Sequence, residues 1–129
     1  MKKPSMVTLG VLVAGMLLGG VSAAPAKDGD VRKTGDCSGS TTWKLKLSEE
    51  NSKIETEFEI DQNVVGDEWK VVLKKDGDVF FRGRRTTKGA SGSFEIRRVV
   101  GDGSGSERIV AHARNLDGDE TCHGKATWS

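Results

Sequence analysis

From Trp43 onward, apolar and polar residues alternate with period two, the pattern of strands with one dry and one wet face. Trp43, Leu45 and Leu47 alternate with Lys44 and Lys46, and Ile54, Thr56, Phe58 and Ile60 alternate with Lys53, Glu55, Glu57 and Glu59. Ser48 to Asn51 supplies a turn between them. Trp69, Val71 and Leu73 lead through Lys75-Asp76-Gly77 to Val79 and Phe81, which reads as a hairpin. A three-residue loop with Gly77 left-handed would oppose Leu73 to Val79 and Val71 to Phe81, keeping the apolar set together. It would also leave Val72 opposite Phe80 on the outer face.

Phe94 to Val100, Arg108 to Arg114 and Glu120 to Trp128 read as further strands, separated by Gly- and Ser-rich breaks, with a short leading strand near Val31 to Cys37. No window has helical periodicity. In the last strand Cys122, Gly124, Ala126 and Trp128 share the inward side; in the strand before it, Ile109, Ala111 and Ala113 do. Arg98 interrupts the inward set of Phe94, Ile96 and Val100, and a β-bulge is the expected cause. Seven or eight short strands at this spacing predict an all-β, antiparallel sandwich.

Residues 1–26 read differently: Lys2 and Lys3, an apolar stretch from Val7 to Val21, then Ser22-Ala23-Ala24-Pro25-Ala26. This is the layout of a cleaved secretory signal peptide, and Gly10, Gly15, Gly19 and Gly20 thin it below what a membrane anchor needs. Cleavage after Ala26 leaves one domain, residues 27–129, secreted to the extracellular space with no membrane anchor. The full chain of 129 residues carries 20 Lys plus Arg against 19 Asp plus Glu. Losing Lys2 and Lys3 leaves 18 against 19, so the +1 of the precursor becomes a mature net charge of −1. A near-neutral chain predicts no nucleic-acid partner. Cys37 and Cys122 are the only cysteines, and an oxidising exterior pairs them. In the chain-entropy description, closing a loop that long stabilises by about 4–5 kcal/mol. The pair lacks C-x-x-C spacing, so its expected role is structural.

Strand spacing, Trp69 in the position of strand C, and Gly92-Ser93-Phe94 leading into the position of strand E carry a family likeness. On them the chain resembles small secreted immunoglobulin-like or fibronectin-III-like β-sandwich proteins of actinomycete type. The resemblance covers Val31 to Trp128 and implies the fold but no defined activity. The cysteines depart from the immunoglobulin pattern, since Cys37 and Cys122 would join the first and last strands.

Candidate chemistry is sparse. Neither Gly89-Ala90-Ser91-Gly92-Ser93 nor Gly101-Asp102-Gly103-Ser104-Gly105 places a serine as a nucleophile elbow does. Glu55, Glu57 and Glu59 recur about 7 Å apart along one strand face, a spacing open to glycoside hydrolysis. Cross-strand pairing with Lys44 and Lys46 accounts for them more simply. Asn115, Asp117, Asp119 and Glu120 gather oxygens that calcium could use, although a hairpin turn explains the segment. Arg82, Arg84, Arg85, Arg97 and Arg98 could meet an anionic cell-wall polymer, with a solvated charged face as the plainer account. A turn at Asp117-Gly118 would place Ala113 opposite Cys122 and His112 opposite His123 on the outer side. Two imidazoles are half of a zinc site, and no third ligand is evident.

The expected function is therefore a non-enzymatic binding or structural module, with no catalytic residues, no metal and no cofactor. Its candidate interaction face comprises Val72, Phe80, Val110, His112 and His123, and its expected partner is another extracellular protein or a second copy. A small secreted hydrolase, or an inhibitor of one, is the alternative.

Overall fold

The computed structural model describes residues 29–129; the expected signal peptide, residues 1–26, lies outside them. Among the described residues there is no helix, and eight strands carry the chain: β1 (Val31–Asp36), β2 (Thr42–Glu50), β3 (Lys53–Asp61), β4 (Glu68–Lys75), β5 (Asp78–Thr86), β6 (Ser93–Gly101), β7 (Glu107–Asn115) and β8 (Thr121–Trp128). They form two antiparallel four-stranded sheets, ordered β1-β2-β3-β6 and β5-β4-β7-β8. The four central strands turn their apolar parity inward. Leu45 and Leu47 of β2, Ile54, Phe58 and Ile60 of β3, Trp69, Val71 and Leu73 of β4, and Ile109, Ala111 and Ala113 of β7 are fully or almost fully buried. Stacking two such faces removes from water the surface that neither sheet could bury alone.

Trp43 closes the seam between the sheets. Its indole lies between Gly35 of β1 and Gly124 of β8, where a Cβ on either glycine would stand 2.6 or 2.8 Å from ring atoms. Nearby, Cys37, one residue past β1, is joined to Cys122 of β8, with S–S 1.99 Å. Glu120 braces the same corner: Oε2 accepts from the amides of Gly39 and Thr41, both at 2.9 Å, and Oε1 accepts from Thr41 Oγ1 at 2.6 Å.

Three local expectations change. The β2–β3 turn is Asn51-Ser52, both left-handed, with Glu50 opposite Lys53, one to three residues beyond the expected Ser48 to Asn51. The β4–β5 hairpin turns on two residues, Asp76 (φ 49°) and Gly77 (φ 89°), not three. That twist suits a two-residue Asp-Gly turn, and Asp76 is held to β7 by Asp76 N to Arg108 O at 2.8 Å and Arg108 N to Asp76 Oδ1 at 2.9 Å. A bulge then restores the apolar parity: Lys74 opposes Val79 while Leu73 opposes Phe81, leaving Phe80 as the extra residue. The bulge expected at Arg98 is absent, because β3 and β6 pair without interruption from Lys53–Gly101 to Asp61–Ser93. Arg98 keeps its inward parity on an edge strand and lays its guanidinium over the Phe81 ring of the other sheet, 4.4 Å from the centroid. Phe81 is accordingly half-buried and capped by Arg98 and Arg85.

Candidate functional site: the outer face of the β5-β4-β7-β8 sheet

The ladders arrange the outward residues of this sheet in rows. One row runs Arg84, Lys70, Arg114, Thr121; the next Arg82, Val72, His112, His123; the next Val79, Lys74, Val110, Lys125; and Arg108 pairs with Thr127 at the end. Four of the five expected face residues, Val72, Val110, His112 and His123, therefore meet. Phe80 does not: the bulge swings it inward, where it is half-buried against the core. Val79, 42% exposed, takes its place.

His112 stands directly opposite His123, as the expected register requires, with ring centroids 6.0 Å apart and planes at 74°. The loop between them spans four residues, Leu116 to Asp119, closed by Asn115 N to Glu120 O at 2.9 Å, and the register is the one a tighter Asp117-Gly118 turn would give. Burial lowers the His112 pKa, and His123, Arg114 and Lys74 lower it further. A hollow of about 360 Å³ lies over this centre, lined by Val72, Val79 and Val110 with Lys74, Arg82, His112 and His123. A second, of about 660 Å³, opens where β8 meets β1; Trp43, Lys33, Arg108, His123 and Lys125 are among its walls. His123 belongs to both, and neither is lined by a carboxylate.

The cations are the part that sequence reasoning missed. Lys70, Lys74, Arg82, Arg84, Arg108, Arg114 and Lys125 all point outward here and are exposed. Glu68 is the acidic residue among these strands' outward positions, paired to Arg84 at 3.7 Å; among the described residues the other six cations make no ion pair.

The opposite sheet is built otherwise. Lys44 pairs with Glu59 at 3.8 Å, Lys46 with Glu57 at 4.0 Å, and Arg97 with Glu50 at 3.2 Å and with Glu55. The lysine–glutamate pairing expected from alternation is thus present. Burial raises the Glu55 pKa, but the Ser48 hydrogen bond and Arg97 outweigh it and leave it lowered. Glu57 is raised, by burial first and by Glu95 and Glu55 against the opposing pull of Lys46. It lines a hollow of about 160 Å³.

The remaining candidates separate. Of the five arginines, Arg82 and Arg84 join the cationic face, Arg85 and Arg98 cover Phe81, and Arg97 serves the glutamates. In the 115–120 turn three of the four expected oxygen-bearing residues are committed to the fold: Asp117 Oδ2 accepts from Glu68 N at 2.7 Å, Asn115 Oδ1 from Asp117 N at 2.8 Å, and Glu120 braces residues 39–41. Among the described residues no three His, Cys, Asp or Glu side chains come together as a metal site would need, and no helix is long and apolar enough to cross a membrane.

Comparisons with protein-family models, with curated proteins and with solved structures find no match. The fold and its surfaces therefore carry the functional reading alone.

Proposed function

We propose that this chain is a secreted, non-enzymatic binding module, closed by the Cys37–Cys122 disulfide, that contacts an extracellular macromolecule through the outer face of its β5-β4-β7-β8 sheet. The observation that carries the reading is the hollow over Val72, Val79 and Val110: an apolar floor at the centre of a sheet whose other outward residues are polar or charged. A shallow, mostly apolar depression ringed by polar groups is the form of a contact site. An immunoglobulin-like assignment fits the order β4-β7-β8, which matches strands C, F and G, with Trp69 on β4 and β5 in the place of C′. Secretion is supported by the disulfide and by the layout of residues 1–26.

The raised pKa of Glu57 favours the second reading, a small hydrolase. Against it, the hollow beside Glu57 is about 160 Å³, below the roughly 300 Å³ where small-molecule pockets begin, and Lys46 faces the carboxylate.

Affinity capture from the culture medium of the secreting cells tests the module reading. The native protein is expected to retain a component that Val72→Glu/Val110→Glu does not, at equal melting temperature; identical retention by both rejects the reading.

A further inference from the structure

We propose that the partner of this face is an acidic polysaccharide, whose carboxylate or sulfate groups sit on the cations around His123. The inference rests on the binding-module reading and names the chemistry of its partner.

The first observation is the placing of like charges. Arg84, Lys70 and Arg114 stand side by side on three adjacent strands, about 4.8 Å apart in the ladder direction. Like charges directly opposite one another destabilise a sheet, and here Glu68 answers the outermost alone. The other sheet, made from the same residue types, pairs Lys44, Lys46 and Arg97 with glutamates on the neighbouring strands. The domain's near-zero net charge is thus the average of a paired face and a cationic one.

The second observation is the lining of the hollows. Both contain cations, Lys74 and Arg82 in one and Lys33, Arg108 and Lys125 in the other, with His123 common to the two. An extended chain laid from the first hollow to the second passes all five of these cations.

The third is what the face lacks. No Phe or Trp side chain points outward from this sheet, and Trp43 in the wall of the second hollow is nearly buried, so single-stranded bases have no exposed Phe or Trp to stack on, and a flat sheet offers no element that enters a duplex groove. It carries no large apolar side chain to enter a lipid surface. Valines beside Arg82, Lys74 and Lys125 suit a sugar ring, whose C–H face rests on Val72, Val79 and Val110 while its acid groups meet the guanidinium and ammonium groups.

Binding of the full chain to polygalacturonate and to dextran sulfate tests this, with neutral dextran, a short duplex DNA and anionic lipid vesicles as comparisons. An acidic polysaccharide is expected to bind, neutral dextran not, with affinity falling steeply as salt rises. Lys70→Glu/Arg114→Glu should weaken binding by about tenfold or more, whereas Lys44→Glu/Lys53→Glu, the same charge change on the other sheet, should leave it nearly unchanged; melting curves establish that both variants fold. No binding to either acidic polymer at low salt, equal loss in the two variants, or tighter binding to DNA or vesicles would each overturn the proposal. If the polymers fail while Val72→Glu/Val110→Glu still abolishes capture from medium, the module reading stands and only the partner's chemistry falls.

Discussion

Lys70 lies directly across the β4–β7 ladder from Arg114, and among the described residues neither makes an ion pair. Reversing one charge turns a repulsive cross-strand pair into an attractive one. Lys70→Glu is therefore expected to stabilise the domain by about 0.5–1 kcal/mol, read as a higher urea midpoint at unchanged slope. A lower midpoint would show that the row is not under electrostatic strain.

His112 gives this face a pH dependence. Burial, and then His123, Arg114 and Lys74, hold its pKa below the ordinary 6.5. Between the folded and unfolded values the unfolded chain binds more protons, so stability declines as pH falls through 6.5 and levels off below the folded value. In His112→Gln this portion of the stability curve should flatten; a variant that kept the native slope would place the effect elsewhere.

The disulfide joins the loop after β1 to β8 across most of the domain. Replacing both cysteines, Cys37→Ser/Cys122→Ser, should cost about 2–5 kcal/mol, measured by denaturant unfolding of the oxidised native protein and the variant. A loss below 1 kcal/mol would mean that Glu120 and its loop hold this corner without the cross-link.

Gly124 has no room for a methyl group. A Cβ there would stand 2.8 Å from two carbons of the Trp43 ring, and the indole is fixed from the other side by Gly35. Overpacking of this kind costs about 1–3 kcal/mol, so Gly124→Ala should lower the melting temperature clearly; an unchanged value would mean that Trp43 can shift out of the seam.

Much of this fold can be read from alternation alone. Trp69, Val71 and Leu73, or Ile109, Ala111 and Ala113, declare their inward side, and a register that faces Cys122 inward places His112 opposite His123. Two local features escape because they settle a competition. At Asp76-Gly77 the turn prefers two residues while the core prefers the other parity, and a bulge at Phe80 satisfies both. At Arg98, parity says inside while the edge of the sheet says wet, and stacking over Phe81 serves both. The cationic face escapes for another reason: Arg84, Lys70 and Arg114 are far apart in sequence, and their adjacency exists only once strand order is known. Net charge averages over that order and hides it.

The most direct measurement is a map of backbone amide shifts in the NMR spectrum as polygalacturonate or dextran sulfate is added. Shifts concentrated at Lys70, Val72, Arg82, His112, His123 and Lys125 would agree with binding through the β5-β4-β7-β8 face. Shifts centred on Lys44, Lys46 and Lys53 of the opposite sheet, or none at low salt, would contradict it.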